Sequence, residues 1–224
     1  MTGYSGFDTS AYPGDEQISW LKANTNLVWC ALYLSPAPSH NDGSWMGKRA
    51  SLAQAGWGVV PIFVGQQVIP PGSLDPSAAT GATDGASAAS LTASEGFPPG
   101  SVVYLDLENG PPLQSPQTDY VQAWCTAVSD AGFQPGIYCS HLMAADVAGL
   151  VPNAAIWAFK VSTTQTHPVT GTDFPDSDPS GSGYAEAAIW QLGQNCQISA
   201  GNGQTLLVDL DSATSPDPGA PVVA

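Results

Sequence analysis

Basic residues are scarce in this sequence, which has four Lys and Arg against nineteen Asp and Glu and a formal net charge of −15. Proteins that bind nucleic acid rely on Lys and Arg to displace counterions from phosphates. The composition therefore excludes nucleic acid and anionic membrane surfaces as expected partners. A net charge of this sign speaks to solubility, and by itself it identifies no substrate.

Long apolar runs are also missing, because no window reaches the ~18 uninterrupted apolar residues of a membrane-spanning helix. We therefore expect no membrane insertion. Residues 1–4 lead directly into a strand-like segment and lack the basic stretch and apolar run of a Sec signal. Without that signal, action outside the cell requires a phage lysis system, a dedicated secretion apparatus or a leader trimmed from the sequence. Otherwise we expect a cytoplasmic protein.

Metal-binding and cofactor-binding patterns are absent from the sequence. The four cysteines, Cys30, Cys125, Cys139 and Cys196, form no C-x-x-C pair and have no histidine at ligand spacing. Cys30 and Cys139 lie in apolar segments typical of buried thiols, and one disulfide involving Cys125 or Cys196 is left open. There is no phosphate-binding G-x-x-x-x-G-K loop. We predict no cofactor and no metal.

What the sequence does contain is an alternation of strand-like and helix-like segments. Eight apolar segments are typical of strands: 5–8, 27–34, 58–64, 102–108, 135–139, 155–161, 187–192 and 205–210. Five segments are predicted to be helical: 15–24, 44–55, 80–95, 115–131 and 140–150. This alternation predicts β/α units and a largely parallel sheet. The predicted fold class is α/β, a single TIM-like (β/α) barrel.

The alternation fails after residue 161. Residues 162–186 are rich in Gly, Ser, Thr, Pro and Asp and show no helical period. A loop of that length is either a functional wall or lid, or disordered. The last two strands follow without a helix, so the barrel is predicted to be irregular and helix-poor there. We assign residues 1–214 to the barrel and 215–224 to a flexible Pro-rich tail, and expect a monomer.

Acidic residues stand at the ends of three predicted strands. Asp106 and Glu108 end the fourth strand, where alternation puts both on one face with Cα atoms ~6.6 Å apart. Asp8 ends the first strand and Asp209 the last, and these strands are neighbours in a closed barrel. Barrel enzymes build their active sites at the C-terminal ends of the strands. The four acids therefore predict one acidic pocket.

Paired carboxyl groups in such a pocket suit glycoside hydrolysis. Mutual repulsion and partial burial keep one acid protonated while its neighbour stays charged, as that reaction requires. Two other interpretations stay open. In the first, the acids cap helices or turns. In the second, Asp8, Asp106 and Glu108 hold Mg²⁺ or Ca²⁺, which prefer oxygen ligands.

The same segments resemble family 25 glycoside hydrolases, the lysozymes of the N-acetylmuramidase type. Residues 6–14, Gly-Phe-Asp-Thr-Ser-Ala-Tyr-Pro-Gly, are similar to that family's opening G-hydrophobic-D-x-S-x-[YF]-x-G motif. Further segments match in order: Leu105-Asp106-Leu107-Glu108, Pro135-Gly136-Ile137-Tyr138, Ile156-Trp157-Ala158, Ile189-Trp190-Gln191 and Val208-Asp209-Leu210. The resemblance extends to the glycoside-hydrolase-like domain of unknown function 1906, which shares this architecture.

The resemblance implies a role for each acid. Glu108 would be the general acid that protonates the leaving glycosidic oxygen, and Asp106 would stabilise the cationic centre or orient a 2-acetamido group. Asp8 and Asp209 would tune charge and bind sugar hydroxyls. The implied substrate is bacterial cell-wall peptidoglycan or a related N-acetylated glycan. The alternative is a glycan-binding barrel without catalysis, as an adhesion or phage-structural module.

Six further residues are candidates for contact with the sugar: Tyr138, Trp157, Trp190, Gln191, Phe63 and Gln66. The three aromatic residues Tyr138, Trp157 and Trp190 would act as stacking platforms, or else belong to the core. The sequence departs from the muramidases in two places. Gln66 and Gln67 follow the third strand where a tyrosine is expected nearby, and Leu192 replaces the second aromatic residue of the seventh strand. Both departures bear on the substrate and leave the acids intact.

Overall fold

The computed structural model describes residues 2–67, 75–161 and 167–221. Within these residues, nine strands form one sheet: β1 (Tyr4–Asp8), β2 (Trp29–Tyr33), β3 (Gly58–Val64), β4 (Val102–Asp106), β5 (Gln134–Ser140), β6 (Ala155–Phe159), β7 (His167–Val169), β8 (Ile189–Ser199) and β9 (Thr205–Ala213). The helices are α1 (Asp15–Asn24), α2 (Arg49–Gln54), α3 (Ala78–Ser94), α4 (Ser115–Asp130) and α5 (Ala144–Leu150), with a 3₁₀ turn at Pro179–Ser182.

The sheet closes into an eight-stranded barrel, which confirms the predicted α/β barrel. Strands β1 to β6 pair in sequence order and in parallel, β6 pairs with β8, and β8 and β9 lead back to β1. β9 runs antiparallel to both neighbours. A tight β8–β9 hairpin replaces the helix that a parallel crossover needs, so the barrel is helix-poor at its end.

Three local features differ from the expectations. The second helix is shorter than residues 44–55, because it begins only at Arg49. Part of the long loop forms the short strand β7 on the outer edge of β8, and the first part of that loop, residues 162–166, lies outside the described residues. The expected tail also makes defined contacts. Val59 N donates to Asp217 Oδ1 at 3.0 Å, and Val102 N donates to Gly219 O at 3.1 Å.

The contacts at Asp217 and Gly219 hold residues 215–221 against the first residues of β3 and β4. They supply partners to strand N–H groups that would otherwise be unpaired. All four cysteines are buried and free, so the disulfide left open above is not formed. No helix in the described part of the chain is long and apolar enough to span a membrane.

The lower barrel interior is filled by aromatic rings. Trp157 lies at its centre and packs edge-to-face against Trp29, Tyr104 and Tyr138, with ring centroids 5.5 to 5.7 Å apart. Gly136 leaves room for the Tyr104 ring, because a Cβ there would approach it to 2.6 Å. This layer is the floor on which the polar upper end of the barrel rests.

We predict that Gly85→Ala destabilises the protein although alanine is the better helix former. Helices α3 and α4 pack backbone to backbone here, and a Cβ on Gly85 would lie 2.6 Å from Trp124 O. Overpacking typically costs ~1–3 kcal/mol, against about 1 kcal/mol gained in helix propensity. Gly149→Ala in α5 is the matched control, because a Cβ there meets nothing within 4 Å. Urea unfolding should show a loss for the first variant and none for the second; equal effects would contradict the close packing.

Candidate active site

The closed barrel brings the four predicted acids to one end. Asp8 ends β1, Asp106 ends β4, Glu108 follows two residues later, and Asp209 lies on β9 directly opposite Asp8. The charge of Glu108 acts on each of the other three carboxyl groups, so the four share one site. Asp8 and Asp106 are buried, Asp209 is half-buried and Glu108 is exposed. The pocket therefore has a buried acidic base and an exposed acid at its mouth.

Asp8 and Asp209 are held by neutral hydrogen-bond donors. The Tyr33 hydroxyl donates to Asp8 Oδ1 at 2.7 Å. The Asn195 backbone N–H donates to Asp209 Oδ1 at 2.7 Å, and the Gln191 side-chain amide donates to Asp209 Oδ2. Asn195 has φ of +54° within the irregular pairing of β8, which turns its N–H toward β9. Nothing in the sequence signalled Asn195, because its contribution is a main-chain group presented by a bulge.

Gln67 fixes the segment that carries Glu108. Its side-chain Nε2 donates to Asp106 O at 2.9 Å, and the Glu108 backbone N–H donates to Gln67 Oε1 at 3.2 Å. Both ends of one buried amide thus bind the backbone on either side of Leu107. The sequence predicted a role for the neighbouring Gln66 instead. Gln66 and Gln67 both follow the third strand, and they differ in the direction of their side chains.

Burial controls the charge of this cluster. Desolvation is the largest cause of a raised pKa at Asp8, Asp106 and Asp209, and mutual repulsion raises the pKa of Asp106 and Asp209 further. The pKa of Asp209 rises to about 7. The pKa of Asp106 lies well above its usual range, and its Oδ1 has no hydrogen-bond partner among the described residues. At neutral pH the pocket therefore retains protons on part of its carboxyl groups.

A fifth carboxyl group, Asp211, completes the base of the pocket. It lies on β9 two residues after Asp209, on the same inward face, and is 1% exposed. Trp157 Nε1 donates to Asp211 Oδ1 at 3.0 Å. Asp211 is not among the residues predicted from the sequence, although its spacing from Asp209 repeats the D-x-E alternation of Asp106 and Glu108.

Two of the six predicted sugar-contact residues lie at the pocket. The Tyr138 hydroxyl donates to Gln191 Oε1, and Gln191 in turn donates to Asp209. Both side chains are buried, Tyr138 being 9% and Gln191 1% exposed. They therefore support Asp209 from behind, and only the Tyr138 edge reaches solvent.

The other four candidates lie elsewhere. Trp157 is fully buried in the aromatic floor. Trp190 faces outward, where its Nε1 donates to Lys160 O and its ring covers Gly181. Phe63 is fully buried and pairs in register with Leu105, on the strand face that turns toward the helices. Gln66 donates to Asp84 of α3 at 2.9 Å. The residue types suited sugar stacking, but strand alternation and barrel depth decide which side chains reach the pocket.

Within residues 2–67, 75–161 and 167–221, no group of three or more His, Cys, Asp or Glu side chains could hold a metal ion. The Mg²⁺ or Ca²⁺ alternative thus gains no support from the geometry of the acids.

The raised pKa of Asp209 predicts a pH-dependent stability. Its unfolded pKa is about 3.9, so between about pH 4 and pH 7 the unfolded chain loses a proton that the folded protein keeps. The free energy of unfolding must fall as pH rises through that range and then level off. Asp209→Asn removes the carboxyl group that causes this loss of stability. The variant should be more stable than the wild type by about 1–3 kcal/mol at pH 8 but little different at pH 4.

Denaturant titrations of the wild type and Asp209→Asn from pH 4 to pH 8 measure this effect. Taking the difference between their free energies of unfolding cancels the contributions of the other carboxyl groups. The Asn195 contact survives the change, and rotation of the Gln191 amide restores the second hydrogen bond, with the Tyr138 hydroxyl then accepting. A difference that is constant with pH would contradict the raised pKa of Asp209.

The chain is similar to one described protein family and to several solved structures. Residues 19–213 match the family described as "Rv2525c-like, glycoside hydrolase-like domain". Among solved structures, the Tat-secreted protein Rv2525c of Mycobacterium tuberculosis, in complex with HEPES, is 17% identical with a TM-score of 0.63, covering 97% of this chain and 98% of that one. A lysozyme from Streptomyces coelicolor is 14% identical with a TM-score of 0.60, covering 96% and 94%.

A family GH25 lysozyme from Aspergillus fumigatus is 15% identical with a TM-score of 0.59, covering 98% of this chain and 100% of that one. No curated protein sequence matches the chain. Because the identities are this low, the similarity to the solved structures shows a shared fold and no more. That fold is the glycoside-hydrolase-like barrel also found in GH25 lysozymes. By the match over residues 19–213, the chain belongs to the family of Rv2525c-like, glycoside hydrolase-like domains.

Proposed function

We propose that this protein is a glycosidase that cleaves bacterial cell-wall peptidoglycan or a related N-acetylated glycan. The observation that carries the proposal is the arrangement of the acids: exposed Glu108 stands at the mouth of a pocket whose base holds buried Asp8, Asp106 and Asp211. Glycoside hydrolysis needs an acid that reaches the leaving oxygen and a second carboxyl group on the sugar side.

In the proposed reaction, Glu108 protonates the leaving glycosidic oxygen as the general acid. Asp106 is buried and its pKa is raised by desolvation and by Glu108, so in its protonated form it donates a hydrogen bond that orients a 2-acetamido group. Asp8 and Asp209 line the opposite side, where they bind hydroxyls and stabilise positive charge on the ring. Gln67 keeps Glu108 in register with Asp106 through the backbone.

The setting that follows from this substrate is outside the cytoplasm. Peptidoglycan lies beyond the membrane, so the protein would be exported or delivered by a phage. The M. tuberculosis relative in fold is described as Tat-secreted, which supports export without assigning a route here. We propose that the protein acts as a monomer, with Asp8, Asp106, Glu108 and Asp209 of a single copy forming the site.

A glycan-binding barrel without turnover is the second candidate. It is favoured by the position of the aromatic side chains, since Trp157 is buried and Trp190 faces away, leaving few platforms to hold a sugar for chemistry. The experiment is reducing-end release, with product masses, from purified peptidoglycan and a panel of N-acetylated glycans. Release establishes a glycosidase and the bond it cleaves. Binding without release by the folded protein on every substrate establishes the second candidate.

A further inference from the structure

We propose that Asp211 is a positioning residue that shares a proton with Asp8 and thereby fixes Asp8 as the charged member of the pair. The inference rests on the proposed glycosidase function for its catalytic consequence. Its structural part, the shared proton, stands independently of any activity.

Strand pairing places the two carboxyl groups together. β1 and β9 are antiparallel, with Asp8 opposite Asp209 and Gly6 opposite Asp211. Asp8 and Asp211 are therefore diagonal neighbours on one face of the sheet. The two carboxyl groups act on each other's pKa through their side chains, which lowers the pKa of Asp8 and raises that of Asp211. Two carboxyl groups form a hydrogen bond only when one of them holds a proton.

No lysine or arginine neutralises this pair. The chain has four Lys and Arg. Lys22 donates to Gly56 O, Lys48 pairs with Asp15, Arg49 lies over Phe97, and Lys160 donates to Gly181 O. Asp8 and Asp211 are 6% and 1% exposed, and burying two unpaired charges would be very costly. A retained proton is the remaining way to lower that cost.

The surrounding donors decide which residue keeps the proton. Asp8 Oδ1 accepts from the Tyr33 hydroxyl, and Asp211 Oδ1 accepts from Trp157 Nε1. Asp211 Oδ2 is buried and has no hydrogen-bond partner among the described residues, so it is the oxygen free to carry the proton. Burial raises the pKa of both groups, and their mutual hydrogen bond lowers that of Asp8 while raising that of Asp211. Asp8 then receives hydrogen bonds from Tyr33 and Asp211 and keeps its charge toward the pocket.

The test is a carboxyl-carbon NMR titration of Asp-labelled protein, with Asp211→Asn and Asp8→Asn as assignment variants. Asparagine keeps the acceptor for Trp157 and donates an N–H toward Asp8, so the fold is expected to survive. In the wild type the two resonances should titrate in two coupled steps. In Asp211→Asn the Asp8 resonance should show one step, at lower pH. An Asp8 titration identical in both proteins would overturn the shared proton.

Activity supplies the second readout. Asp211→Ala should lower kcat by about tenfold or more with little change in KM, whereas Asp211→Asn should retain most of kcat, because its amide still positions Asp8. Asp217→Asn changes an exposed aspartate at the other end of the barrel and keeps the oxygen that accepts from Val59 N, so this control should leave activity unchanged. Coupled titration with full activity in Asp211→Ala would reject the catalytic consequence alone. Coupled titration in a wild type that cleaves nothing would reject the proposed function and, with it, that consequence.

Discussion

Replacement of Glu108 by glutamine is expected to lower glycan cleavage by about 10²–10⁴-fold, the usual contribution of a general acid. Glutamine has nearly the same shape but no proton of suitable acidity to give the leaving oxygen. The backbone hydrogen bond from Glu108 N to Gln67 is unaffected by the change, so the loop should keep its position. The loss should therefore appear in kcat, with KM nearly unchanged.

Glu186→Gln is the matched control for that loss. Glu186 is exposed and lies just before β8, at the end of the barrel opposite the pocket. The same chemical change there should leave reducing-end release at the wild-type rate. If Glu108→Gln cleaves as fast as this control, the general acid is another residue, and the adjacent Asp106 becomes the first to test.

Replacement of Trp157 by alanine is expected to remove much of the stability of the fold. The side chain is fully buried and contacts three aromatic rings at the centre of the barrel. Deletions of this size typically cost ~3–5 kcal/mol, against a total stability of about 5–15 kcal/mol for most domains. The change also removes the N–H donor to the buried Asp211. Urea unfolding at constant pH measures the loss.

Two further variants separate the causes at this position. Trp157→Phe keeps an aromatic ring but leaves Asp211 without that donor, which should cost about 1–3 kcal/mol. Trp190→Ala removes the same residue type from the outward face of β8, where it is only partly buried, and should cost clearly less than Trp157→Ala. If the two alanine variants are equally destabilised, the aromatic floor is not the centre of the core.

The sequence was sufficient to predict the barrel and its acids. The eight predicted strands all form, because their apolar runs and the intervening amphipathic segments are local signals that tertiary packing reinforces. The positions of Asp8, Asp106 and Glu108 followed as well, since residues at the C-terminal ends of parallel barrel strands meet at one face. Asp209 lies within the antiparallel strand β9 and not at its end, and it joins the other acids because it pairs with Asp8. The reversed direction of β9 was not predicted, because strand pairing is decided between segments distant in sequence.

Side-chain direction and depth are what only the tertiary structure decided. Trp157, Trp190 and Tyr138 look alike as aromatic residues in strands, yet one forms the floor, one faces outward and one reaches the pocket edge. Alternation gives each strand two faces, but which face is inward, and how deep a residue lies, depends on the register of neighbouring strands. Strand register also explains why Asp211 was not predicted from the sequence, because its burial beside Asp8 arises from the pairing of β1 with β9. Composition and order along the chain thus determined the fold and the acidic character of the site, while strand register determined which side chains lie in it.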